Sequence, residues 1–252
     1  MRWVWWIAGA SVLIVVTSAL LALNFIGRST PARLTLSDRT PQASALQSPT
    51  PAVLSLDTAC AFGTVVGGDV VWKVQSGSKA GFRTHERFFG YVDTAIAHEA
   101  VVRSDRVAGY LVTSADRGEL RSACVGVDLR GLKSVDSLPP PLPPSSNRDE
   151  LFDFLLGLDQ FPVATFELRE MSLPVSPQGK KIHLAAPGEL TIRGVSQPAT
   201  FTADCRWQGR AAECAGSAVV DARRFGVVVP GESGPIKVDP MVTLEFSVAL
   251  AS

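Results

Sequence analysis

Three histidines and four cysteines are the residues of this 252-residue chain best suited to metal or nucleophilic chemistry. His85, His98 and His183 lack the H-E-x-x-H spacing that puts two imidazoles and a base on one helix face. His85–Glu86 and His98–Glu99 fall in runs that alternate like strands, so the members of each pair point to opposite faces. Ser76-Gly77-Ser78-Lys79 spells S-x-x-K, in which a lysine activates a serine nucleophile one helical turn away. Its companion motifs S-D-N and K-T-G are absent, and the surrounding residues read as a strand. "TVVGGD" has the glycines of a turn but no P-loop lysine. None of these patterns supports an enzyme, a metal or a cofactor.

Cys60, Cys124, Cys205 and Cys214 show no C-x-x-C metal spacing. An even number of cysteines behind an export-type segment points to disulfides in an oxidising compartment. "CRWQGRAAEC" places Cys205 and Cys214 across a hairpin, which predicts that bond. Cys60–Cys124 is then the remaining pairing, with two buried free thiols as the alternative.

The elements that would position these residues begin with an apolar run. Trp3 to Gly27 contains no charge and is bracketed by Arg2 and Arg28. About 20 apolar residues cross a bilayer, and Trp3, Trp5 and Trp6 suit an interfacial belt. Residues 1–27 are therefore expected to form a transmembrane helix that anchors the chain to the membrane. The alternative is a signal peptide cut near Thr17-Ser18-Ala19, although the apolar run continues past that site. Arg28, Arg33 and Arg39 follow the run and only Arg2 precedes it, which by charge alone puts the bulk of the chain in the cytoplasm. The cysteines argue the opposite, and an extracytoplasmic domain on a single-pass anchor is expected. Residues 28–58, rich in Ser, Thr and Pro, read as a flexible linker.

From residue 59 to 252 the texture changes to short runs of period two. Strands are predicted near 69–75, 79–85, 95–103, 106–114, 119–130, 163–172, 181–193, 198–207, 211–221 and 241–250, the pattern of an all-β sandwich or barrel. "MVTLEFSVAL" is the clearest, with Val242, Leu244, Phe246, Val248 and Leu250 on one face. "LPPPLPPSSN" (138–147) is expected to be extended, polyproline-like and exposed. The next residues predict one inserted helix, N-capped by Asn147, with Leu151, Phe152, Leu155 and Leu158 at helical spacing and an end at Gly157. Lys+Arg and Asp+Glu each number 24, so the charge offers nothing to nucleic acid.

Taken in order, "NRDELFDFLLGLDQFPVATFEL", "GELTIRGVSQPATF", "RRFGVVV" and "VTLEFSVAL" resemble the YceI-like family. The family pattern is Arg-Asp before an apolar helix, a Tyr/Phe-Pro-x-x-x-Phe strand, then Leu-Thr-[Ile/Leu]-x-Gly. Here it falls on Arg148-Asp149, on Phe161-Pro162 with Phe166, and on Leu190-Thr191-Ile192-Arg193-Gly194. Trp72, Ser78 and Phe82 resemble its opening strand, and the match spans about residues 69–250. His85 stands three residues after Phe82, where many members place a His four after it.

The resemblance implies an extended antiparallel β-barrel, lipocalin-like in shape, that holds a polyisoprenoid or fatty-acyl lipid without catalysis. Small inward residues (Ala164, Ala199, Ala203, Gly216, Ala218) among large ones would leave a slot for such a chain. The expected apolar lining is Phe82, Leu151, Leu155, Phe166, Leu190, Ile192, Phe201, Phe225 and Phe246. Arg148, Asp149 and Arg224 are expected at the tunnel mouth. The alternative is that the barrel is solid and serves as a scaffold, with the polyproline loop contacting an envelope protein. Oligomeric state is left open, a homodimer included.

Overall fold

The computed structural model describes residues 30–38, 59–60, 65, 67–174, 178–231 and 234–252. The expected anchor and most of the expected linker lie outside them. Among the described residues no helix is long and apolar enough to cross a membrane.

The alternating runs form strands because each can bury one face. In order they are β1 (Val70–Val74), β2 (Lys79–Phe88), β3 (Ile96–Ser104), β4 (Val107–Thr113), β5 (Glu119–Asp128) and β6 (Lys133–Ser134). After the helical insertion come β7 (Val163–Leu168), β8 (Met171–Ser172), β9 (Lys181–Ile192), β10 (Val195–Gln208), β11 (Ala211–Asp221), β12 (Ile236–Val238) and β13 (Met241–Ala251). The short strands β6 and β12 were not legible from alternation, since two or three residues carry no period.

Every pairing is antiparallel, and the order β1-β4-β5-β7-β9-β10-β11-β13-β2-β3-β6 closes through β1–β13. β13 receives β2 at Thr243–Ser247 and β1 at Leu250–Ala251. β1 and β2 are thus one interrupted line, and β3 and β4 beside them are another. The result is a closed eight-stranded antiparallel barrel. Closure removes the free edges that an open sheet would expose.

The β2–β3 loop, the insertion between β5 and β7, the β9–β10 hairpin and the β11–β13 connection gather at one end of the barrel. The β9–β10 turn has two residues, Arg193 at φ 53° and Gly194 at φ 70°. Two positive φ values in succession are the mark of a type I′ turn, and they explain the glycine. The opposite end is plugged by Trp72, Ile182, Trp207, Ala212 and Leu250, packed with the Cys205–Cys214 bond. Trp72 Nε1 donates to Thr113 Oγ1 at 3.0 Å, so the buried indole is satisfied.

Both disulfides are present. Cys205 and Cys214 are direct register partners of β10 and β11, with Cα atoms 4.2 Å apart. Cys60 is bonded to Cys124 of β5, which fixes the residues before β1 to the barrel wall.

Three expectations are corrected. The single helix is two short pieces, α1 (Ser146–Asp149) and α2 (Phe152–Leu156). Asn147 is not the cap: its N–H and that of Arg148 donate to Pro144 and Ser145 three residues back, a tight turn rather than an α-helical start. Gly157 does end α2, in the left-handed conformation at φ 63°. The proline segment is exposed at Pro140, Pro141 and Pro144 as expected but is not extended throughout, because Leu142 N–H donates to Pro139 O in a turn that buries the Leu142 side chain. Nor do residues 30–38 behave as a free linker. Pro31 O and Ala32 O accept from Arg83 Nη2 at 2.6 and 2.7 Å, and Ser37 donates from N and Oγ to Glu213 at 2.6 and 2.8 Å.

Candidate functional site

The barrel is hollow. An inner chamber of about 200 Å³ lies above the Trp72 plug, walled by Leu111, Val125, Phe166, Leu184, Phe201 and Phe246 among others. A cavity needs only ~10–15 Å³ on this measure to admit one water, so the space is an order of magnitude larger. Phe166, Phe201 and Phe246 form a row along one wall, with ring centroids 4.6 and 5.6 Å apart. Gly188 makes the row fit: a Cβ there would come within 2.7 Å of Phe166 Cζ and 2.3 Å of Glu167 O.

A second chamber of about 220 Å³ sits at the helix-bearing end. Phe82, Leu156, Ile192 and Leu244 line both spaces, so the two abut there. Phe82 meets Phe152 of α2 edge-on, at 6.2 Å and 74°. Leu151, Leu155, Phe88, Val228 and Ile236 are among the other residues of its wall.

One polar cluster stands beside the outer chamber. Arg148 Nε and Nη2 donate to Glu86 Oε1 and Oε2 at 3.0 and 2.8 Å. Its Nη1 donates to Asp136 Oδ1 and to Ser134 Oγ, both at 2.9 Å. Asp136 Oδ2 lies 2.8 Å from His98 Nε2, and Asp136 Oδ1 accepts from Val101 N–H at 2.9 Å. Burial alone would push the Asp136 carboxyl up, but the bonds from His98, Arg148 and Val101 outweigh it and hold the group at about 2. Burial likewise works against the Arg148 charge, yet its two carboxylate partners raise that group overall. The cluster is a satisfied network that pins α1 to β2 and β3.

Comparison with known families matches residues 72–250 to the YceI-like domain. The chain belongs to the YceI-like family. No curated protein matches the sequence. Among solved structures, this YceI-like chain is similar to a polyisoprenoid-binding domain from Saccharophagus degradans implicated in plant cell wall breakdown, at 13% identity and a TM-score of 0.49, covering 72% of this chain and 98% of that one. BcnA of Burkholderia cenocepacia is similar at 14% identity and a TM-score of 0.44, covering 68% and 96%.

Of the residues expected on the wall of the YceI-like barrel, Phe166, Leu190, Phe201 and Phe246 line the inner chamber. Leu151 and Leu155 line the outer chamber, and Phe82 and Ile192 line both. Phe225 lines neither; it is buried in the 3-10 turn after β11 that Asp221 caps. Arg148 borders the outer chamber. Asp149 does not: its carboxylate accepts from Ser134 N–H at 2.8 Å and so fastens α1 to β6. Arg224 lines neither chamber; its exposed guanidinium donates to Gln197 at 2.8 Å, beside the β9–β10 turn.

Sequence reasoning missed Glu86, His98 and Asp136. Each His-Glu pair does alternate faces as expected, but Glu86 of one pair and His98 of the other are register partners on adjacent strands. That register is set by the β2–β3 loop length and is invisible in either strand alone. Ser78 of the S-x-x-K quartet is buried, donating to Gln75 O and accepting from Ala249 N–H. Among the described residues no cluster of His, Cys, Asp and Glu could hold a metal.

Proposed function

We propose that the barrel binds one long apolar lipid chain, a polyisoprenoid or a fatty-acyl chain, without catalysis. The observation that carries this reading is the pair of abutting apolar chambers along the barrel axis. Each enclosed methylene contributes about 0.8 kcal/mol, so ten enclosed carbons gross roughly 8 kcal/mol before ordering is charged against them. That is enough for useful affinity with no catalytic or metal group. A polyisoprenoid is the form of lipid that the family resemblance implies.

The same reading places the barrel on the extracytoplasmic side of a membrane, tethered by Trp3–Gly27. Its support is the uncharged length of that segment and the two disulfides, which persist in oxidising compartments.

Native mass spectrometry of the full chain, gently extracted and incubated with a long-chain polyprenol or a fatty acid, tests the binding. One bound lipid per chain is expected. A mass that stays at the bare polypeptide under saturating lipid would refute it.

A further inference from the structure

Residues 31–37 form a strap on the outside of the barrel, and the direction in which it runs is informative. β13 descends from Met241 at the helix-bearing end to Ala251 at the plugged end. Pro31 and Ala32 meet Arg83, whose register partner is Thr243. Leu34 N–H meets Glu245 at 3.3 Å. Ser37 meets Glu213, whose partner is Ala249. The strap therefore descends beside β13, and its N-terminal end is the one nearer the chamber mouth. Arg83 and Glu245, outward-facing yet buried, are covered beneath it and paired at 3.0 Å.

Gly27, where the uncharged run stops, is four residues before Pro31. Extended chain covers at most about 14 Å in that distance. Thr243 is two residues below the end of β13, about 7 Å, so the apolar run ends within reach of the helix-bearing rim. That rim exposes apolar side chains, interleaved with the acidic Asp93, Glu150 and Asp153. Phe89, Tyr91 and Val92 of the β2–β3 loop are exposed, and Phe154 of α2 is 73% exposed. Leu151 and Val228 both line the outer chamber and are 46% and 51% exposed, so the chamber reaches the surface among these apolar side chains. Single exposed apolar residues need no explanation; their concentration around one opening does.

We propose that the helix-bearing end of the barrel docks on a lipid bilayer, with the strap holding the chamber mouth against the surface from which the Trp3–Gly27 segment emerges. Rim aromatics then enter the interfacial layer, as apolar faces do to depths of ~5–10 Å. A lipid tail leaves the bilayer into the outer chamber without crossing water. The proposal rests on the lipid-binding reading for what enters the chamber and on the tethering reading for the anchor.

The test uses the full chain in phosphatidylcholine–phosphatidylglycerol vesicles that contain a nitroxide-labelled lipid. A fluorophore is placed at Phe154→Cys on the rim or at Lys180→Cys on the opposite end. The label at 154 is expected to lose most of its fluorescence and the label at 180 to keep it. Equal quenching, stronger quenching at 180, or a chain that leaves the vesicles would each overturn docking. A long Gly-Ser insertion after Arg28 uncouples the strap from the anchor and is expected to abolish the contrast; a contrast that survives it would overturn the role of the strap. Native mass spectra of the same preparations separate the readings. A lipid adduct with equal quenching sinks docking alone, and a clear contrast with no adduct sinks lipid binding alone.

Discussion

The guanidinium of Arg148 lies edge-on to the carboxylate of Glu86, two bonds at 3.0 and 2.8 Å across 62 residues of sequence. The pair joins the helical insertion to the barrel wall at the border of the outer chamber. It ties the position of α1 to the shape of that opening.

Arg148→Met should therefore destabilise the fold by about 3–5 kcal/mol, since it leaves Glu86 and Asp136 buried without their cation. Arg148→Lys should recover only part of this, because one ammonium cannot make two parallel bonds to Glu86 and still reach Asp136. Urea denaturation of the three proteins measures both effects. A loss under about 1 kcal/mol for Arg148→Met would contradict a buried network.

Acid should reveal Asp136. Its folded value of about 2 lies below the ordinary 3.8, so its contribution to stability is fully present above pH 4 and is lost as pH falls through about 2. The difference corresponds to about 2 kcal/mol. Denaturation midpoints taken between pH 5 and pH 2 should fall in the native protein. In Asp136→Asn the fall should be smaller by that amount.

The two disulfides should differ in weight. Cys60–Cys124 spans 64 residues and Cys205–Cys214 spans nine. Closing the longer loop removes more disorder from the unfolded chain, about 4 against about 3 kcal/mol. Paired Cys→Ala variants, compared by thermal unfolding, should rank in that order.

Filling the inner chamber should separate stability from binding. Leu184 lines that space at partial burial. Leu184→Trp should keep or raise the unfolding midpoint, since the added ring occupies vacant volume. It should also reduce polyprenol occupancy in native mass spectra several-fold. Undiminished occupancy would place the lipid elsewhere.

Much of the barrel was legible in the sequence. Ten long alternating runs mark strands, as in Leu244-Glu245-Phe246, because one face of each must be dry. The Cys205–Cys214 pairing follows from local spacing alone, and Gly157 announces the end of α2. What the sequence leaves undetermined is everything that depends on distance across the fold. Glu86 meets His98 only through strand register, and Arg148 reaches Glu86 only once the insertion folds back over the barrel end. Asp149 and Arg224, equally charged and near in sequence to the apolar lining, are taken up by Ser134 N–H and Gln197 for the same reason. Hollowness, too, belongs to the tertiary structure. A period of two says which side of a strand avoids water, but whether opposite walls touch depends on barrel circumference and on how eight strands stagger.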